Sequence, residues 1–341
     1  MAYSAISKSS SYFNTVLYTG ANQTITGVGF QPDWSWIKQR NNASSALFDA
    51  VRGATKFVES NATNAEVTDA TTLTAFGSDG FTLGADSSGY VGGSSQATVA
   101  WNWKANGSGS ANSDGSINST VSVDTTSGFS IVKYTGTGAT ATVGHGLGVA
   151  PKVVLIKGVS NSGSWGMYHS SIGATKKIIL NSTAAETSSG WMNNTAPTSS
   201  VFTVINDADV GSSGYTYVAY CFAEKTGFSK FELYEGTGNS DGPFLYTGFK
   251  PSFVMIKAKG QTESWYMLDN KRPGYNTNNY YLKANATDAE GTSTTLATTL
   301  CSNGFKINNS DTSMNSSGQG YIYMAFGQPI VSTNGDIATA R

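Results

Sequence analysis

The sequence predicts an all-β protein of three tandem antiparallel β-sandwiches, jelly-roll-like, and three observations carry that expectation. A Tyr-x-Gly opening recurs at Tyr18-Thr19-Gly20, Tyr134-Thr135-Gly136 and Tyr234-Glu235-Gly236. Each is followed by a Gly-x-x-Pro unit, at Gly29 to Pro32, Gly148 to Pro151 and Gly248 to Pro251. An apolar run then ends in Ile37-Lys38, Ile156-Lys157 and Ile256-Lys257 at a fixed distance from the proline. Self-similarity at this period means that each unit is one building block of the fold.

Within each unit the apolar residues fall two apart, as Trp34 and Trp36, Val153 and Leu155, Phe253 and Met255. That spacing puts them on one face of a strand. Between them, Val154 and Val254 imply a strand covered on both sides, whereas Asp33 and Ser35 imply that the first unit exposes its other face. Each unit closes with an aromatic strand around Ala100, Ala219 and Ala325, 68 residues after the proline in the first two units and 74 in the third. Asp79-Gly80 and Asn303-Gly304 are hairpin signals. An Asn-x-Thr-x-Ala-Glu string recurs at Asn61 to Glu66, Asn181 to Glu186 and Asn285 to Glu290. It reads as a Thr-capped helical turn or two, over Thr63 to Leu73 and its counterparts, with the glutamate bonding nearby backbone.

These marks divide the chain into an amino-terminal arm at 1–14, sandwiches at 15–105, 128–226 and 227–331, and a tail at 332–341. The Gly/Ser/Asn-rich stretch 106–127 reads as a linker with a short strand at Ile117 to Val123.

Composition narrows the function. Charged residues are 13% of the 341, about half of the ~25% of an average soluble domain. With 21 Lys and Arg against 22 Asp and Glu there is no basic footprint for nucleic acid. No apolar stretch approaches the ~18 residues of a membrane helix, and Met1 to Ser10 lacks the apolar segment of a secretory signal, so the expectation is no membrane insertion and folding in the cytosol. Cys221 and Cys301 stand alone and read as small core residues, without a zinc spacing. No cofactor motif is present, and the expectation is a protein that is not an enzyme.

Candidate sites are correspondingly few. His145, in a Gly-flanked turn, and His169, in the slot held by Asp49 and Asp269, read as structural. Glu66, Glu186 and Glu290 recur with the fold and so serve it. Asp86, Asp207, Asp209 and Asp311 could supply oxygen ligands to calcium, but no calcium-loop spacing surrounds them and they read as solvated loops. The Trp-x-Trp pairs, Trp34 with Trp36 and Trp101 with Trp103, match Val153, Leu155, Tyr220 and Phe222 elsewhere and therefore read as core. Ligand-facing candidates lie where the units differ: Trp191, Asn193 and Asn194, and Tyr275, Tyr280 and Tyr281. In the arm, Tyr3, Tyr12 and Phe13 need somewhere to pack and are candidates for an anchor to a larger assembly.

Several long strings add a resemblance: Tyr12-Phe13-Asn14-Thr15, Gly27 to Asp33, Phe48 to Lys56, Gly144 to Pro151, Tyr217 to Glu224, Tyr246 to Pro251 and Ala338 to Arg341. Through them the sequence resembles the tandem-repeat virion proteins, described as tail or tail-fibre proteins, of marine tailed bacteriophages. The resemblance implies a structural protein of the virion, assembled in the host cytoplasm. Its partners would be other tail or head proteins, with a host surface glycan or protein as receptor. The arm of about 14 residues and the lack of coiled-coil heptads imply a short fibre. A head decoration protein is the alternative, and a polysaccharide depolymerase a weaker one. The resemblance also implies a homotrimer.

Overall fold

The computed structural model describes residues 4, 6–41, 43–93, 95–272, 276 and 280–331. The first sandwich contains β1 (Phe13–Thr19), β2 (Thr24–Ile25), β3 (Trp34–Gln39), β4 (Ser45–Asp49), β5 (Lys56–Glu59), β6 (Val67–Thr68), β7 (Leu73–Gly77), β8 (Gly80–Leu83) and β9 (Ala97–Trp103). The second contains β10 (Ser110–Asn112), β11 (Ser119–Asp124), β12 (Phe129–Thr135), β13 (Ala141–Gly144), β14 (Val153–Gly158), β15 (Gly166–His169), β16 (Lys176–Ile179), β17 (Thr187–Ser188), β18 (Val201–Val204) and β19 (Thr216–Phe222). The third contains β20 (Ser229–Glu235), β21 (Phe244–Tyr246), β22 (Phe249–Ala258), β23 (Tyr266–Asp269), β24 (Leu282–Lys283), β25 (Thr298–Cys301), β26 (Gly304–Ile307) and β27 (Gly320–Pro329).

Each sandwich pairs a large antiparallel sheet with a small one. The large sheets run β1-β9-β3-β4-β5-β6, β10-β11-β12-β19-β14-β15-β16-β17 and β20-β27-β22-β23-β24. The small ones are β2-β8-β7, β13-β18 and β21-β26-β25. The all-β sandwich class expected from the sequence is the class adopted. In the first large sheet β3 to β6 follow one another, and the closing strand β9 inserts between β1 and β3, as β19 does between β12 and β14 and β27 between β20 and β22.

Ladder register corrects one expected equivalence. Ile37 pairs with Ala100 and Ile156 with Ala219, but Ile256 pairs with Tyr323. Ala325 occupies instead the position of Asn102 and Cys221, so the counterpart of Ala100 in the third unit is Tyr323.

Both faces of the central strands β3, β14 and β22 are buried almost throughout. One face packs on its own small sheet, making three separate cores. The other face looks inward, and the three inward faces share a single core holding Trp34, Trp36, Trp101 and Trp103, with Leu155, Tyr220 and Phe222, and Phe253, Met255 and Phe326. Trp34 stacks on Tyr220 with ring centroids 4.4 Å apart, Trp101 meets Phe253 at 5.6 Å, and Phe222 meets Phe326 at 5.7 Å. The two-residue alternation of the Pro strands is thus explained by two cores, one private to a sandwich and one common to all three.

Burial on both faces extends to polar positions. Asp33 and Ser35, expected to be exposed, are 2% and 0% exposed. Asp33 accepts from the Ala105 and Gly107 N–H groups and from Gln31, and Ser35 donates to Asn102. Burial raises the Asp33 pKa against the lowering effect of those bonds.

Three further expectations change. The stretch 106–127 is not a free linker, since β10 and β11 within it extend the second large sheet, β11 pairing along all of β12. The Asn-x-Thr-x-Ala-Glu strings are not helical; each is a turn followed by irregular chain whose role lies at the seams described below. Helix among the described residues is confined to α1 (Thr312–Asn315) and two single 3₁₀ turns. The arm, lastly, is not separate from the body: Phe13 begins β1, is 3% exposed and packs on Trp103, Phe253 and Phe326.

Candidate functional site

The densest polar chemistry lies at the three seams between sandwiches, and it follows one cyclic pattern. In each seam the Asn-x-Thr-x-Ala-Glu segment of one sandwich lies against the loop after the Pro strand of the next. Glu66 N–H donates to Val159 O, Glu186 N–H to Lys259 O, and Glu290 N–H, closing the ring from the third sandwich to the first, to Arg40 O. The Ile-Lys lysines receive the same segments. Lys157 Nζ donates to Thr63, Gly158 and Gly163 carbonyls, each at 3.0 Å. Lys257 Nζ donates to Thr183, Ala258 and Gln261, and Lys38 Nζ to Ala43 and Ala286. All three lysines are fully buried, and burial lowers each amino group to about 8. Carbonyl dipoles replace the water that an ammonium loses on burial.

The recurring glutamates therefore hold seams together by backbone and charge, and not by capping a helix. Glu66 pairs with Arg52, Glu186 with Lys259 of the next sandwich, and Glu290 with both Arg272 and Arg40.

Deeper in each seam sits the slot of Asp49, His169 and Asp269, each the last residue of its strand. Asp49 accepts from Arg52 Nε and N–H and, at 2.7 Å, from Tyr220 Oη of the next sandwich. Asp269 accepts from Arg272 Nε and N–H and, at 3.1 Å, from Trp101 Nε1. Burial works against charge on Arg52, but the nearby Asp49, Tyr220 and Glu66 outweigh it and raise its pKa. In the third sandwich the register counterpart of Trp101 and Tyr220 is Met324, whose side chain has no N–H or O–H to give. In the second sandwich's slot His169 stands in place of Asp. Its Nε2 lies 3.3 Å from Tyr323 O and its Nδ1 accepts from Ser171 N–H, so a neutral ring donates from Nε2. Burial lowers its pKa to about 4. With no carboxylate to pair, the arginine position is Ile172.

The candidates read from sequence are scattered by the fold. Trp191 is 1% exposed, which removes it as a surface contact: its ring lies over the bare backbone of Gly166 and its Nε1 donates to Lys176 O. Asn193 and Asn194 are exposed, both with φ of 53°. Short amide side chains tolerate that left-handed backbone. Tyr280 is half-buried, and Tyr281 packs edge-on against Tyr266 at 5.3 Å. Tyr12 is half-buried under Lys104, and Phe13 is too deep in the core to anchor anything outside. Tyr3 and Tyr275 lie outside the described residues.

His145 is buried, with Nε2 3.1 Å from Thr198 O and Nδ1 accepting from Leu147 N–H. The acidic loops considered for calcium are occupied by protein donors: Asp86 accepts from Tyr90, Val91 and Gly93 N–H groups, and Asp209 from Ser164 N–H and Lys177. Among the described residues no cluster of three His, Cys, Asp or Glu suited to a metal occurs, and no helix is long and apolar enough to cross a membrane.

Sequence reasoning missed one surface feature, a cleft of about 590 Å³ in the third sandwich. Lys230, Glu224, Tyr246 and Gly248 line it. Tyr246 is 58% exposed, and its ring lies beside the Cα of Gly248, whose φ is 81°. Its counterparts five residues before the other prolines are Gly27 and Gly146, which is the signal that was available.

Fold and seams together define a single-chain, all-β protein in which three sandwiches close around one aromatic core. The chain belongs to the family described as a domain of unknown function, DUF7483, whose model matches residues 8–329. No curated protein and no solved structure matches it.

Proposed function

We propose that this chain is a structural protein of a bacteriophage virion, a short tail-fibre or receptor-binding adhesin that meets the host surface. The observation that supports this reading best is the closure of three sandwiches on a common core. Such a body holds its peripheral loops on a rigid frame, as a binding scaffold requires. The resemblance of several strings to those of phage tail proteins, drawn from the sequence, points the same way. Its buried acids and both histidines are engaged in seams and turns, which suits a role without catalysis. On this reading Asn193 and Asn194 are receptor contacts, being the exposed members of the candidate set in a loop peculiar to one sandwich. Partners would be neighbouring virion proteins and a host glycan or protein, and the homotrimer implied by the resemblance would gather three such bodies.

Purified protein should bind host cells and compete with phage adsorption; failure of both ends the adhesin reading. A head decoration protein is the second reading, favoured by the closure of the large sheets on one common core. Electron cryomicroscopy of the particle separates the two by whether density of this shape sits on tail or capsid.

A further inference from the structure

The first and third sandwiches are not consecutive in the chain, and the seam between them differs from the other two at its outer end. A groove of about 430 Å³ opens there between the arm, the start of β1 and the third sandwich. Ladder register shows what makes the room. Thr15 pairs with Trp101 as Ile131 pairs with Tyr220 and Phe231 with Met324. The place that the second and third sandwiches fill with a large apolar side chain of the common core therefore holds threonine in the first. On the opposing wall, the two residues after the strand-end Asp269 are Asn270 and Lys271, whereas Asp49 is followed by Ala50 and Val51, and His169 by Ser170 and Ser171. Lys271 thus has no charged counterpart in either of the other seams.

Two observations make the groove a site. Thr15, which lines it, is 4% exposed, and its hydroxyl has no hydrogen-bond partner among the described residues. A buried hydroxyl is normally bonded, and leaving one unpaired costs stability. The charge of the lining also has one sign. Lys8 of the arm and Lys271 of the third sandwich both line the groove, no carboxylate does, and neither ammonium has an acidic partner among the described residues. Asp269, beside Asn270, is engaged by Arg272 and Trp101. The rest of the lining includes neutral donors and acceptors, among them Ser9, Ser252, Asn270 and Gln328.

We infer that this groove binds a sugar carrying one anionic group, with Lys8 and Lys271 taking the charge and the serine, amide and Thr15 side chains taking the hydroxyls. Its volume of about 430 Å³ lies within the range of small-ligand sites and suits a monosaccharide or disaccharide. Lysine binds carboxylate and phosphate alike, as a point charge, so the ligand class is defined by an anion together with hydroxyls. The site does not depend on the virion reading, since its lining alone carries it.

The test titrates the full chain with glucuronate, glucose 6-phosphate, glucose and inorganic phosphate, followed by ligand-observed NMR. A charged sugar should bind with a Kd of about 1 mM, about tenfold tighter than either glucose or inorganic phosphate. Whichever charged sugar binds tighter identifies the anionic group. Lys8→Met and Lys271→Met should each weaken binding about tenfold. Thr15→Val, which keeps the shape and removes the hydroxyl, should weaken it about fivefold while raising the melting temperature of the sugar-free protein. The proposal is overturned if neither charged sugar binds saturably, if glucose or inorganic phosphate binds as tightly, or if both lysine variants bind as the parent does. Binding that appears only after residues 1–5 are deleted overturns it too, and assigns the groove to the chain's own amino-terminal segment.

Discussion

Asp49 in the first sandwich and Tyr220 in the second share a hydrogen bond of 2.7 Å, with both side chains out of contact with water. The bond joins residues 171 positions apart and ties one sandwich's strand end to the next sandwich's closing strand. Its counterpart, Trp101 to Asp269, ties the first sandwich to the third.

Removing Tyr220 Oη and removing Asp49 should therefore differ sharply. Tyr220→Phe deletes the bond to Asp49 and the longer one, 3.3 Å, that Oη accepts from Arg52, while Asp49 and Arg52 keep each other, at a cost of about 1.5–3 kcal/mol. Asp49→Ala strands a buried guanidinium and should cost about 3–5 kcal/mol. Urea denaturation of both variants measures the difference; equal losses would mean that Arg52 does not depend on Asp49.

Two tryptophans two residues apart on the same face of β9 offer a matched comparison. Trp101 Nε1 donates to Asp269, whereas the buried Trp103 Nε1 has no partner. Phenylalanine at position 101 removes a bond to a carboxylate, while at 103 it removes a donor that is already unsatisfied. Trp101→Phe should be the more destabilising by about 1–2 kcal/mol in the same assay.

His169 makes stability depend on pH in a defined direction. Its folded-state pKa of about 4 lies below the ordinary 6.5, so the unfolded chain binds the proton first. The stabilisation is complete above pH 6.5 and disappears as pH falls from 6.5 towards 4, a loss of about 3 kcal/mol. His145, also lowered by burial, acts with the same sign. His169→Asn keeps an acceptor for Ser171 N–H but cannot charge, so thermal melts between pH 4 and 6.5 should show a shallower slope than the parent.

The caged lysines predict a loss that charge alone does not explain. Lys257→Met fits the stem but removes the ammonium donor from the Ala258 and Gln261 carbonyls and from that of Thr183, which keeps only the Glu263 N–H. About 3 kcal/mol or more should be lost, at low and at high salt alike, because the interaction is buried and short-ranged. A loss that shrinks in high salt would identify a surface electrostatic effect instead.

What the sequence disclosed was strand and turn. The spacing of Trp34 and Trp36 marked a buried face, and Asp79-Gly80 marked the β7–β8 hairpin. It did not disclose whose core that face belonged to, because alternation records burial without naming the opposing surface. Asp33 and Ser35 looked exposed because their hydrogen-bond partners, Ala105, Gly107 and Asn102, lie some 70 residues away. Residue type matches Ala325 to Ala100, whereas register selects Tyr323. The seam function of Asn-x-Thr-x-Ala-Glu was hidden for the same reason: its partners are in another unit. Among candidate contacts, Asn193 and Asn194 were legible as exposed turn residues, but Trp191 was not legible as core, since the space it fills is made by the absence of a side chain at Gly166.

A symmetric oligomer must write the same residue at every copy of an interface, because one gene supplies all of them. Here the three junctions are encoded separately, and they differ: two carry an aspartate–arginine pair, and the third has His169 and Ile172 in those places, with His169 meeting a backbone carbonyl. Covalent linkage thus permits an asymmetry that identical subunits cannot have. One flank can be rewritten for an outside contact while the other two go on holding the body together.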